Sequence, residues 1–124
     1  MPDDQEHAAE LDEARAVLRE AGADGLGPRP WQHRGQPASD ADLVRFAAWL
    51  GRDPEADAAV LDAGLRLLAS ARAELDQIES GLLFAARAAG MTWPQVAGAL
   101  GLGSPQAAQQ RFGRLLGRVD GPEA

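Results

Sequence analysis

Apolar residues recur at steps of three and four along most of the chain, which is the spacing of one face of an α-helix. Glycine and proline interrupt this pattern in residues 23–38, where their density predicts a loop or an extended linker. Residues 1–38 are therefore expected to form an N-terminal acidic helix followed by a linker. The apolar face of that helix, within residues 6–21, carries Ala8, Leu11, Ala14, Leu18 and Ala21.

A second helix is predicted to begin after Ser39, whose hydroxyl suits the N-cap position, with Asp42 three residues on as its capping partner. Gly51 ends this helix. Asp53 and Pro54 are the residue types expected at an N-cap and a first helical position, so a long third helix is predicted to start there. The apolar face of the second helix carries Leu43, Phe46, Ala47 and Leu50.

Residues 55–89 contain no proline and two glycines, Gly64 and Gly81, which are candidate breaks in a long central helix. One interpretation is that this helix packs along its own domain, because its heptad-like series of apolar residues is short and has two polar interruptions. The other is that residues 39–80 form a dimerising coiled coil or helical hairpin. The series consists of Leu61, Leu65, Leu68, Arg72, Leu75, Glu79 and Leu82.

Residues 81–119 have the spacing of a helix-turn-helix. After a helix that ends at Gly90, Thr92 and Gln95 form a Thr-x-x-Gln capping box for the next helix. Gly101 suits a turn that needs a positive φ. Small and apolar side chains are expected to fill the angle between the helices: Val96, Ala97, Leu100, Leu102, Ala108, Phe112 and Leu115.

The last helix is predicted over residues 104–118, with Ser104 as its cap and residues 120–124 as a tail. It contains no acidic residue. Glutamine pairs with adenine and arginine with guanine in the major groove of DNA, so this helix is the expected recognition helix. Its free side holds Gln106, Gln109, Gln110, Gly113 and Arg114.

The net charge of −7 argues at first against nucleic acid, but the charges are segregated. Residues 1–80 carry 8 arginines and 17 acids. Because screening limits charge interactions to about 8 Å at physiological salt, the local distribution matters more than the total. Residues 81–118 contain no acid and four arginines, Arg87, Arg111, Arg114 and Arg118.

Residues 89–111 resemble the helix-turn-helix of sigma-factor region 4. They resemble still more a group of small actinobacterial DNA-binding proteins, some of which are labelled transcriptional regulators of small-heat-shock genes. The resemblance covers about residues 74–118 and implies DNA binding through the helix 104–118. The segment 101–103 departs from the shortest form of the motif by one glycine. The matching residues are Thr92-Trp93, Val96-Ala97, Leu100-Gly101, Ser104, Ala107 and Arg111.

These features predict a transcriptional regulator or nucleoid-type protein that binds double-stranded DNA. One copy brings few positive charges, so a homodimer is expected, formed through the long helix or the N-terminal arm. The competing hypothesis is an adaptor whose acidic half binds a basic partner, RNA polymerase or another regulator. The expected DNA-binding residues are Thr92, Ser104, Gln106, Gln109, Gln110, Arg111, Arg114 and Arg118, with Arg87 a weaker candidate.

Other chemistries have little support in the sequence. There is no cysteine, and His7 and His33 have no neighbouring ligand set, so no metal site or cofactor is expected. No serine stands in motif relation to a histidine or lysine, and we expect no enzyme. Residues 1–13 are acidic and lack an apolar core, so they are not expected to form a signal peptide. The chain has no run of about 18 apolar residues, so no membrane span is expected, and the lack of cysteine favours the expected cytoplasmic, nucleoid-associated location. Trp31 and Trp49 are expected to pack on the core rather than line a ligand pocket.

Overall fold

The computed structural model describes the backbone of residues 3–120 and the side chains of residues 3–117. Over this range the protein is all-α, as the sequence predicts. The chain divides into two compact units, Met1–Arg72 and Ala73–Ala124, with the boundary inside the fourth helix. The helices are α1 (Asp4–Glu20), α2 (Asp40–Leu50), α3 (Ala58–Arg66), α4 (Leu68–Ala88), α5 (Trp93–Leu100) and α6 (Pro105–Asp120), with a 3-10 turn at Ala23–Gly25.

The first unit is built from α1, α2 and α3, which pack against one another. Helix α1 begins where a carboxylate oxygen of Asp3 accepts a hydrogen bond from the backbone N–H of Glu6 at 2.8 Å. Ser39 caps α2 by accepting from the backbone N–H of Asp42 at 3.3 Å, as predicted. Burial of the apolar faces then holds the three helices together. The core contains Ala14, Leu18, Ala23, Leu43, Phe46, Ala47, Val60, Ala63 and Leu67.

A polar network stands beside this core. The guanidinium of Arg15 on α1 donates two hydrogen bonds, both of 2.8 Å, to the carboxylate of Asp40 on α2. The hydroxyl of Ser70, at the start of α4, donates to the same carboxylate. Asp40 therefore links three helices of the unit.

The predicted helix start at Asp53 and Pro54 is wrong. These residues form a turn in which the backbone N–H of Ala56 bonds to the carbonyl oxygen of Asp53 at 3.0 Å. Proline at the second position of such a turn is as favourable as at a helix start. Helix α3 begins four residues later, where Asp57 accepts from the backbone N–H of Ala59 at 2.9 Å.

The central segment is two helices, and the break falls at Leu67 rather than at Gly64 or Gly81. The backbone N–H of Leu67 bonds to the carbonyl oxygens of Ala63 and Gly64, each at 3.2 Å, so hydrogen bonding continues through the break. The side chain of Leu67 is fully buried. The break therefore falls at a core residue, and both glycines lie inside helices.

Four leucines of the heptad-like series, Leu61, Leu65, Leu75 and Leu82, are between 38% and 68% exposed. These four side chains therefore do not belong to the core of either unit. On α4, steps of three and four residues place exposed apolar side chains on one face. We call this face the α4 stripe; it consists of Leu75, Ile78 and Leu82.

The expectation that two tryptophans pack on the core is also wrong. Trp31 is 75% exposed, because it lies at the tip of a turn closed by a 3.0 Å hydrogen bond from the backbone N–H of Gln32 to the carbonyl oxygen of Arg29. Trp49 is 55% exposed on α2, where Phe46 takes the buried position. Both indole rings are therefore accessible to solvent.

Candidate nucleic-acid interface

The start of α5 has the predicted capping box. The backbone N–H of Gln95 donates to Oγ1 of Thr92 at 3.2 Å, and the backbone N–H of Thr92 donates to the side-chain oxygen of Gln95 at 2.8 Å. Pro94 lies in the first turn, where no helical N–H is required of it. These bonds fix the entry of α5 after the connection at Gly90, whose φ is +93°.

The turn between α5 and α6 also follows the sequence prediction. Gly101 adopts the left-handed conformation with φ +72°. The backbone N–H of Leu102 reaches back to the carbonyl oxygen of Ala97 at 2.8 Å, and that of Gly101 to Gly98 at 3.1 Å, which is a Schellman motif. Ser104 then caps α6 by accepting from the backbone N–H of Ala107 at 3.2 Å.

A second core, separate from that of the first unit, holds α4, α5 and α6 in place. Leu83 comes from α4, Val96 and Ala97 from α5, and Ala108 and Leu115 from α6; all five are buried. The half-buried side chains around them include the corner residue Leu102 and the ring of Phe112. The inward faces predicted for α5 and α6 are therefore confirmed.

Burial of Ala108 and Leu115 leaves the opposite side of α6 in solvent. The carboxamides of the three glutamines and the guanidinium of Arg114 lie on this side, and within residues 105–117 no carboxylate accompanies them. This composition can donate and accept hydrogen bonds at base edges. We call this surface the α6 polar face; it consists of Gln106, Gln109, Gln110, Gly113 and Arg114, all exposed.

Arg111 is engaged with another side chain. Its Nε and Nη2 both donate to the carboxylate of Glu79 on α4, the latter at 3.1 Å. The hydrogen bond and charge of Glu79 raise the pKa of this guanidinium above its ordinary value. Arg111 therefore braces α6 against α4 and offers less net positive charge to phosphate than its sequence position suggests.

Arg87 is also held by its own unit. Its Nη1 donates to the carbonyl oxygen of Met91 at 2.7 Å, and its guanidinium lies 4.6 Å from the ring centroid of Trp93. The Trp93 ring is in turn 6.0 Å from that of Phe112, and Phe84 packs edge-on to Phe112 at 5.1 Å. This aromatic row fixes the connection between α4 and α5.

The expected DNA-binding residues therefore fall into different groups. Thr92 and Ser104 use their hydroxyl oxygens as caps, which leaves each hydroxyl proton able to donate to a ligand. Arg114 has no ion pair or hydrogen bond among the described side chains. The side chain of Arg118 lies outside the described residues.

The sequence patterns missed two partnerships, those of Glu79 with Arg111 and of Arg87 with Trp93. The first joins residues 32 positions apart, and no local pattern signals such a pair. Glu79 stood out only as a polar interruption of the heptad-like series. Between residues 73 and 117, three acids balance three arginines, so attraction to phosphate depends on where the charges lie.

Among the described side chains, those of residues 3–117, no group of three His, Asp or Glu is arranged to hold a metal ion. None of the helices in that range combines the length and apolarity needed to cross a bilayer. Comparison with protein families, with curated proteins and with solved structures finds no match for this chain.

Proposed function

We propose that this protein binds double-stranded DNA without catalysing a reaction, as a transcriptional regulator or nucleoid-associated protein. The observation that carries the proposal is the acid-free α6 polar face, presented on a helix that follows a tightly capped turn. Glutamine and arginine on such a helix suit the major groove, where base edges offer paired acceptors and donors. As part of the same proposal, the chain is a member of the group of small actinobacterial regulators that residues 89–111 resemble.

The role of each side chain of α6 follows from the contacts that this side chain makes. Arg114 supplies the accessible positive charge, and Gln106, Gln109 and Gln110 read base edges. Arg111 acts mainly by holding α6 at a fixed angle to α4 through Glu79. The hydroxyls of Thr92 and Ser104 are placed at helix starts, where phosphate oxygens are favoured by the helix dipole.

A single copy would bind weakly, because few of its arginines are free to displace counterions. We therefore propose a homodimer in which a second copy packs on the α4 stripe. Its three side chains are at least half exposed in the single chain, and their burial would remove apolar surface from water. Replacing Ile78 by Glu should then lower the mass measured by light scattering from two chains to one, and an unchanged dimer would contradict this assignment.

Fluorescence anisotropy with labelled duplex DNA, at about 50 and 200 mM salt, tests the DNA-binding proposal. Binding should weaken with salt, and Arg114→Gln should weaken it further and lower the salt slope by about one. Arg72→Gln is the matched control, because Arg72 belongs to the first unit, is exposed and forms no ion pair among the described residues. Absence of binding to mixed or genomic fragments at low salt would contradict the proposal.

A second candidate function is an adaptor that binds a basic partner or a component of the transcription machinery. It is favoured by an acidic cavity that is lined by Glu10, Glu13 and Asp62. Arg66 also lines this cavity. Replacing Glu10 and Glu13 by Lys would break a complex with such a partner and leave DNA binding intact. If these changes are silent while Arg114→Gln weakens DNA binding, the regulator is favoured over the adaptor.

A further inference from the structure

A solvent-accessible cleft of about 270 Å³ lies on α2 of the first unit. Phe46 and Trp49 form an aromatic wall, with ring centroids 6.1 Å apart and planes inclined by 26°. Leu26, from the segment after the 3-10 turn, adds a third apolar side chain. The volume is close to the lower limit of about 300 Å³ for small-molecule pockets, so the cleft suits a ligand of one or two rings.

The aromatic wall is held in position before any ligand arrives. Nε of Arg52 donates to the carbonyl oxygen of Trp49 at 3.2 Å, and the Arg52 guanidinium lies 5.4 Å from the Trp49 ring centroid. Trp49 nevertheless keeps more than half of its surface in water. The exposed part of the indole can therefore contact a planar ring in an offset or edge-on arrangement.

Three charged side chains line the same cleft: Arg29, Arg45 and Asp42. Arg45 has no ion pair or hydrogen bond among the described residues, so its guanidinium is free to donate to a ligand. Arg29 donates one bond, of 2.8 Å, to the carbonyl oxygen of Gly27 and keeps further donors. The two arginines outnumber the single carboxylate, which makes an anionic ligand electrostatically preferred.

We propose that this cleft binds a small aromatic carboxylate. The ring packs against the exposed part of Trp49, and the carboxylate accepts hydrogen bonds from the guanidinium of Arg45, a geometry that suits the planar fork of arginine. Asp42 repels the carboxylate and so limits the affinity. The site lies in the first unit, and it does not depend on the proposed binding of DNA by α6.

The experiment titrates the full chain with 4-fluorobenzoate, followed by ¹⁹F NMR of the probe and by the indole N–H signals of the protein. Of the three tryptophan signals, that of Trp49 should shift, while those of Trp31 and Trp93 should stay in place. Arg45→Gln should weaken binding about fivefold, and Asp42→Asn should strengthen it, because each changes one charge at an accessible site. Arg72→Gln, outside the cleft, is the matched control.

The neutral amide 4-fluorobenzamide separates charge recognition from simple stacking, and it should bind more weakly than the carboxylate. Thermal unfolding of each variant checks that the fold is retained. The proposal is overturned if the probe does not bind at millimolar concentrations, if the amide binds as well as the carboxylate, or if the signal of Trp31 or Trp93 shifts instead of that of Trp49.

Discussion

Glu79 of α4 holds Arg111 of α6 in a two-contact ion pair across the second unit. The pair changes how the basic C-terminal region is understood, since it occupies an arginine that the sequence assigns to phosphate. It also gives α6 a polar brace in addition to the apolar packing of Ala108 and Leu115. The proposed interface is therefore both less positively charged and better positioned than the sequence alone suggests.

Replacing Glu79 by Gln should strengthen DNA binding. The change removes a negative charge and releases the guanidinium of Arg111, so the salt slope of binding should rise by about one. The loss of a partly exposed ion pair should lower the free energy of unfolding by at most about 1 kcal/mol. Anisotropy at two salt concentrations measures the first effect, and urea unfolding measures the second.

Glu55→Gln is the matched control for this change. It alters the net charge equally but lies on an exposed turn of the first unit. If both variants strengthen DNA binding by the same amount, the effect is one of net charge and the specific role assigned to Glu79 is wrong.

Two glycines inside helices should respond oppositely to replacement by alanine. A Cβ at Gly64 would lie 2.6 Å from Cβ of Ala47, where α3 meets α2. Gly64→Ala should therefore destabilise the protein by about 1–3 kcal/mol, despite the higher helix propensity of alanine. Gly81 has open space at its Cβ position, so Gly81→Ala should stabilise α4 by up to about 1 kcal/mol.

Chemical denaturation of the two variants beside the unchanged protein measures both effects. A Gly64→Ala variant as stable as the unchanged protein would contradict the close approach of α2 and α3.

Asp40 should make stability depend on pH in the acid range. The hydrogen bond from Arg15, assisted by that from Ser70, holds the pKa of Asp40 below its ordinary value of 3.8. The folded state favours the ionised carboxylate more strongly than the unfolded state does. The contribution of Asp40 to the free energy of unfolding is therefore complete when the pH is above the ordinary pKa, and it is lost as the pH falls through the lowered pKa of the folded state. The difference in unfolding free energy between the unchanged protein and Asp40→Asn should therefore shrink at low pH.

Urea unfolding at a series of pH values provides this comparison. Asp24→Asn is the charge-matched control, because the described residues give Asp24 no ion pair. A stability difference for Asp40→Asn that does not vary with pH would show that the carboxylate acts only through its shape and neutral hydrogen bonds.

Local chemistry accounts for what the sequence predicted correctly. The capping box at Thr92, the left-handed glycine at position 101 and the cap at Ser104 each depend on neighbours within a few residues. Asp53 misled the prediction because an aspartate followed by proline suits a turn as well as a helix start, and Asp57 provided the cap instead.

Features that depend on distant residues could not be predicted in this way. The break at Leu67 falls at a residue of the core that α1, α2 and α3 assemble. The exposure of Trp31 follows from its position at the tip of a turn, and the pairing of Glu79 with Arg111 from the packing of α4 with α6. Each is a property of the folded chain rather than of a short segment.

Titration of ¹⁵N-labelled protein with a mixed-sequence DNA duplex, followed by backbone and side-chain amide signals, tests the central claim most directly. The account predicts that the largest shifts fall on the α6 polar face, including the side-chain amides of Gln106, Gln109 and Gln110, and on the starts of α5 and α6. Signals from the acidic helix α1 should remain in place. Shifts confined to the first unit, or none at low salt, would contradict DNA binding by α6.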